Sequence, residues 1–169
     1  RKVRIATIFG TLQATLTDFR YLRSIWKNNT EEEALLGVSL TGILDNKFLS
    51  KPGPELAAAL VKLKDVAIKT NKEWARKLGI NQSTAITCVK PSGTVSQLVD
   101  SSSGIHPRYA EYYIRRVRSD AKDPLSLVLE EAGIPVEEDV MSPSTKVFSF
   151  PKKSPEGAVT APNLPAQAQ

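Results

Sequence analysis

Lys90-Pro91-Ser92-Gly93-Thr94-Val95-Ser96 places a cation, a glycine and three hydroxyls within one short run. Those residue types suit an anion. The first N–H groups of a helix lack intrahelical partners, and the dipole makes that end positive. A phosphate there accepts several N–H bonds together. Gly93 lets the backbone come close, Ser92, Thr94 and Ser96 add hydroxyl donors, and Lys90 adds a point charge. The run is not a P-loop, because its lysine precedes the glycine and the spacing differs. An ordinary turn and helix cap draws on the same residues, so composition leaves both readings open.

A second cluster, Gly104-Ile105-His106-Pro107-Arg108, follows a serine run. His106 has the chemistry of a general acid or base near neutral pH, and Arg108 that of a bidentate phosphate or carboxylate clamp. The alternative for His106 is a loop residue bonded to a nearby carbonyl. Tyr112-Tyr113 beside Arg115-Arg116 interleaves aromatic and basic groups, as nucleic-acid binders do. The alternative is a strand with half of these side chains packed inside. One cysteine, Cys88, and one histidine exclude an internal disulfide and the common structural zinc sites. Cys88 is expected as a small hydrophobe in a buried strand. Glu31, Glu32 and Glu33 are expected at a helix start, not around a metal. No residue is assigned a catalytic role, and no metal is expected.

The elements that must position these residues are legible as changes of period. Ile5, Ile8, Phe9, Leu12, Leu16, Phe19, Leu22 and Trp26 predict one helix over 3–26. Thr30 and Glu33 predict a capping box and a short helix through Leu36. Gly37 to Ile43 alternates as a strand does, and 85–89 is a second expected strand. Pro54 opens and Gly79 closes a long helix over 54–78. A helix is expected to begin near Val95. A strand over 112–118, a helix from Asp123-Pro124 to Ala132 and a strand over 146–150 come next. Strands between helices predict an α/β fold with mostly parallel pairing. Residues 1–150 form one expected domain, and 151–169 a Pro-rich tail or loop.

Composition bounds the rest. The chain has 169 residues, 41% hydrophobic and 24% charged, which excludes wholesale disorder. No apolar run has the length of a spanning helix, so no membrane partner is expected. A single thiol fits a reducing cytoplasm. The net charge of +5 is concentrated in residues 1–27 and 108–122, against an acidic stretch over 130–139. The first residue is Arg1, not Met, and the chain is expected to be a piece of something longer.

Five blocks, in order, resemble the adenosylcobalamin-dependent (class II) ribonucleotide reductases. They are Ala14-Thr15-Leu16-Thr17-Asp18-Phe19, Gly37 to Ile43, Cys88 to Ser96, Ser103 to Tyr109 and Tyr112 to Arg118. The likeness covers about residues 1–150. It implies part of a ten-stranded α/β barrel that reduces ribonucleoside di- or triphosphates. In that family adenosylcobalamin generates a thiyl radical on a finger-loop cysteine. A cysteine pair then supplies electrons, renewed by a thioredoxin-like reductant. Ser92 to Val95, with Ser96, match the loop holding the substrate phosphates. Lys90, Pro91 and Gly104 to Arg108 match active-site lining. The family's Asn-x-Cys-x-Glu motif is absent here, and Cys88 does not match it. The expected role is therefore a substrate-phosphate subsite without the radical cysteine and inactive alone. Its expected partners are the ribonucleotide, the N-terminal part of the barrel and further copies of itself. Cobalamin is not expected to be held by this segment alone. A stand-alone nucleotide- or phosphate-binding module and a basic nucleic-acid-binding domain are the competing readings, and no specific nucleic acid is expected.

Overall fold

The apolar stripe over 3–26 does not produce one helix. The protein, described here for residues 1–90 and 92–165 by a computed structural model, has α1 at Lys2–Gln13 and α2 at Ser24–Glu33. Side-chain oxygens compete for the backbone between them. Thr15 Oγ1 donates to the Leu12 carbonyl at 2.7 Å, and the Thr15 and Leu16 N–H groups turn back to Leu12 and Gln13. Nor is the stripe a core, since Phe9 is 68% and Leu16 73% exposed. The capping box at Thr30 does not form either. Thr30 lies inside α2 with its hydroxyl on the Trp26 carbonyl, and Ala34 ends the helix at φ 44°.

α3 spans Pro54–Leu78, as Pro54 and Gly79 predict. Gly79 takes φ 70° and returns its N–H to Ala75, the left-handed cap that glycine favours. α1 and α3 meet through polar atoms. Thr7, Thr11 and Asn71 are fully buried. The Asn71 Nδ2 group donates to Thr11 Oγ1 at 3.1 Å and to Ser83 Oγ at 2.8 Å. Its Oδ1 accepts the Ser83 N–H at 3.0 Å. Ser83 then starts the segment that runs parallel to residues 36–38. Leu36 and Val38 donate to Ala85 and Ile86, and Cys88 donates to Val38.

This pairing is much shorter than the expected strands over 37–43 and 85–89. It reduces to one parallel bridge, Val38 with Thr87. Gly42, at φ 69°, turns the chain into a 3-10 turn over Ile43–Asp45 before a strand can extend. Cys88 is exposed, which corrects its expected burial. So short a pairing places no sheet neighbours over it.

From Pro107 onward a second compact unit forms, separate from Arg1–His106. Its strands are β1 (Tyr112–Asp120), β2 (Val136–Asp139) and β3 (Ser142–Lys153), with α4 (Pro124–Glu131) after β1. The order is β1-β3-β2 and both pairings are antiparallel, contrary to the expected parallel pattern. The connections explain it. Val140 and Met141 alone separate β2 from β3, and a two-residue hairpin makes neighbours antiparallel. Val147 and Phe148 of the central strand are each 1% exposed and form the core. Asp123 Oδ1 caps α4 by accepting the Leu125 N–H at 2.8 Å. Along β1 Tyr113 and Arg115 are half-buried on one face, while Tyr112 and Arg116 are exposed on the other. Arg116 and Arg118 reach over β3 to Glu137 and Asp139. Beyond β3, Ser154 bonds back to Ala110 and Glu111, and Thr160 bridges Arg108.

Two outcomes are expected from these polar contacts. Asn71→Ala removes three bonds at a fully buried site and leaves the Ser83 N–H without its acceptor. Urea unfolding should show a loss of roughly 2–3 kcal/mol. The Met141 N–H and the Arg118 guanidinium hold the Asp139 carboxyl below its ordinary pKa. A depressed folded pKa adds stability above the unfolded value, and that stability disappears as pH falls through the folded one. Asp139→Asn should therefore be less stable at neutral pH and lose less on acidification below about pH 4. Thermal melts across pH 2–7 check this.

Candidate phosphate site

The Ser92 loop is wedged between two others. Ser92 Oγ lies 3.0 Å from Ser103 Oγ and 3.3 Å from Thr41 Oγ1. Thr41 Oγ1 donates to the Ser102 carbonyl at 2.9 Å and accepts the Gly104 N–H at 3.1 Å. Asp45 Oδ2 accepts the Ser102 N–H at 2.8 Å. Gly104 is buried at φ 55°, and a Cβ there would stand 2.9 Å from the Lys90 carbonyl. Ser92 and Gly104, far apart in sequence from Thr41, are thus brought against one turn. Pro91 lies outside the described residues.

After Ser92 the chain forms a seven-residue 3-10 helix, Gly93–Val99, not the α-helix expected from Val95. Gly93 has φ 50° and open space where a Cβ would be. The Val95 N–H turns back to the Ser92 carbonyl at 3.1 Å, and Ser96 Oγ donates to the Gly93 carbonyl at 2.9 Å. Ser96 is 1% exposed, so its hydroxyl serves the turn. Thr94 is exposed. The donors facing outward from this loop are therefore those around Ser92, Gly93 and Thr94. The short 3-10 form supplies less aligned dipole than an α-helix would, which moves the weight onto individual N–H and hydroxyl groups.

The other expected lining residues separate. The end of the Lys90 side chain lies over Gly37. A Cβ on Gly37 would be 2.7 Å from Lys90 Cε and 3.4 Å from Cys88 Sγ. His106 is exposed, with Nδ1 3.2 Å from the Ser103 carbonyl. That contact fits the loop alternative. Ile105 lines an apolar groove of about 400 Å³ with Val38, Leu40, Val61, Cys88 and Val89. Pro107 and Arg108 belong to the second unit. Arg108 is 3% exposed, and its backbone bonds to Val159 and Ala161. Among the described residues no group of histidine, cysteine and carboxylates could hold a metal ion. Thr41, Asp45 and Ser102 escaped the sequence reading. The Thr41-Gly42 pair with Asp45 just beyond is turn chemistry, and it was hidden inside an apparent strand alternation.

Comparison with known proteins sets the chain beside one group of enzymes. The chain is 32% identical over 158 residues to the adenosylcobalamin-dependent ribonucleoside-triphosphate reductase of Lacticaseibacillus paracasei, covering 79% of this chain and 21% of that protein. The enzyme of the same name from Levilactobacillus brevis is 40% identical over 92 residues, 54% of this chain and 12% of that one. A crystal structure of a B12-dependent (class II) ribonucleotide reductase superposes with a TM-score of 0.72 at 25% identity, over 92% of this chain and 26% of that one. The chain is related to one segment of the class II ribonucleotide reductases. No protein-family model matches it. It spans about a fifth of the length of the L. paracasei reductase. The α/β expectation stands at the level of this shared reductase fold, with antiparallel pairing in its sheet. No helix among the described residues is long and apolar enough to cross a membrane.

The two loop glycines should respond differently. Both need positive φ, but only Gly104 is closed in by backbone. Gly93→Ala should cost about 1 kcal/mol, while Gly104→Ala should cost about 2–3 kcal/mol and pull Lys90 from its place. Denaturant unfolding of the two variants measures the difference.

Proposed function

We propose that this chain is the substrate-phosphate segment of a ribonucleotide reductase whose radical cysteine it does not carry. The observation that supports this most is the Ser92–Thr94 turn. It is exposed at Gly93 and Thr94 while Ser92 is held from behind by Ser103 and Thr41. A phosphate there accepts from the turn's N–H groups and from the Ser92 and Thr94 hydroxyls. Water is displaced by donors already in place, which lowers the ordering cost of binding. Lys90 adds a screened charge, and Val95 and Ser96 shape the turn. The reaction assigned to the whole enzyme is reduction of a ribonucleoside di- or triphosphate, with adenosylcobalamin as radical source. No residue of this segment is assigned to the cofactor or to the redox chemistry. Cys88 is an exposed thiol outside any Asn-x-Cys-x-Glu motif.

Both compact units are read as parts of one catalytic barrel domain. The remaining partners are the rest of that barrel and a thioredoxin-like reductant of the whole enzyme. Exposed apolar side chains such as Val61, Val89, Ile114 and Val128 are surfaces the rest of the barrel would cover, and alone they favour self-association. The nucleic-acid reading is weakened by the acids that take Arg116 and Arg118. It required those cations to be available to a backbone.

The chain with adenosylcobalamin, a dithiol and ribonucleotides should form no deoxynucleotide. Product that depends on this chain alone overturns the missing-radical assignment. Titration with inorganic phosphate or a nucleotide should shift amide resonances of residues 92–96 at moderate salt. A folded sample without those shifts, or with shifts only at Arg115–Arg118, overturns the phosphate assignment.

A further inference from the structure

We infer that Thr41 is a positioning residue for the phosphate turn and fixes which way the Ser92 hydroxyl donates; the inference rests on the phosphate reading above. A threonine hydroxyl has one proton and two lone pairs. The Thr41 proton goes to the Ser102 carbonyl, which can only accept. Thr41 Oγ1 is then restricted to accepting, from the Gly104 N–H at 3.1 Å and from Ser92 at 3.3 Å. Three separate points of the chain thus meet on one oxygen. Ser92 cannot receive a proton from Thr41, so toward Thr41 it is the donor. Ser103 Oγ, 3.0 Å away, is then free to donate into a Ser92 lone pair. When an anion arrives, the Ser92 proton is shared between Thr41 Oγ1 and an anion oxygen, so the contact that orients the hydroxyl is kept in the bound state. The Ser103 donation persists and polarises the new bond. No covalent bond changes in this step.

The surrounding bonds separate this role from folding. The Ser102 carbonyl also accepts the Gly42 N–H at 2.9 Å, and the Ser102 N–H is held by Asp45. Removing the Thr41 hydroxyl therefore leaves the Gly42–Ser102 contact in place and releases only Gly104 and Ser92. Thr41 is itself exposed, so an isosteric valine leaves no cavity.

The test titrates inorganic phosphate into the 169-residue chain and three variants, followed by amide shifts of residues 92–96. Thr41→Val should raise the phosphate Kd about fivefold, because the Ser92 hydroxyl and the Gly104 backbone must then be ordered on binding. Thr41→Ser should bind within about twofold of the parent, because it restores the hydroxyl. Ser92→Ala should lose at least as much as Thr41→Val, and the double variant little more than Ser92→Ala, since Thr41 acts through Ser92. Without ligand, Thr41→Val should speed exchange of the Gly104 amide and leave the β1 and β3 amides unmoved. If the parent binds and Thr41→Val binds equally well, or Thr41→Ser is as weak as Thr41→Val, this inference is overturned and the phosphate site survives. An unfolded Thr41→Val makes Thr41 a fold residue and overturns it too. No response in the parent overturns the phosphate site and this inference together.

Discussion

A carboxamide buried without access to water must fill its bonding capacity from the protein, and Asn71 does so from two directions at once. One donor fixes α1 through Thr11, and the other donor with the carbonyl oxygen fixes Ser83. The loops of the first unit take their positions from that anchor. Ser83 sets where Thr84 to Cys88 start, and these residues hold Leu36 and Val38 by parallel backbone bonds. Val38 places Thr41 three residues later, and Thr41 holds Ser92 and Gly104. The helix pair and the Ser92 turn are thus joined through a short relay of side-chain and backbone hydrogen bonds.

Polar anchoring matters more here because the apolar interior is small. The buried hydrophobic residues before Pro107 are Ala34, Ala67, Ala75 and Ile86. Several large apolar side chains of α1 and α3 are exposed, as Phe9, Val61 and Val66 are. Burial on this scale contributes modestly, since an alanine methyl removes little area from water. Directional hydrogen bonds then decide register, while the outward faces remain available to a larger core.

The same division explains what the sequence made legible. α3 and α4 were read closely, because proline openings, Asp123 and a closing glycine are local signals carried by the residues themselves. The split between α1 and α2 was hidden, since the stripe of apolar residues continues through a break made by threonine side chains. Alternation over 37–43 suggested a strand, yet the bonds that residues 41–45 make are with residues 92–104, which no local pattern announces. The antiparallel sheet was misjudged for the opposite reason. The β2 strand, Val136–Asp139, is acidic and lacks β-branched residues after Val136, so the hairpin that sets the pairing went unread. Within the candidate site, Ser92 and Gly93 were recognisable by type, whereas Thr41 became visible only by its distances.

Charge and glycine content, the two features that first suggest an anion site, turn out to be divided among different tasks. Much of the positive charge of β1 is answered by Glu137 and Asp139, and Lys90 lies over Gly37. The proposed site would therefore rely on short-range donors at fixed positions, whose strength falls less with salt than that of exposed charges. Gly93 and Gly104 share positive φ but not its purpose. Around Gly93 the space is open, so the missing Cβ serves whatever approaches from outside. At Gly104 the missing Cβ admits the Lys90 carbonyl, so it serves the packing of the loop that stands behind Ser92. An approach surface and a packed backing are different requirements met by the same residue type. Only the neighbours of each glycine distinguish the half of the proposed site that would meet a ligand from the half that would hold it still.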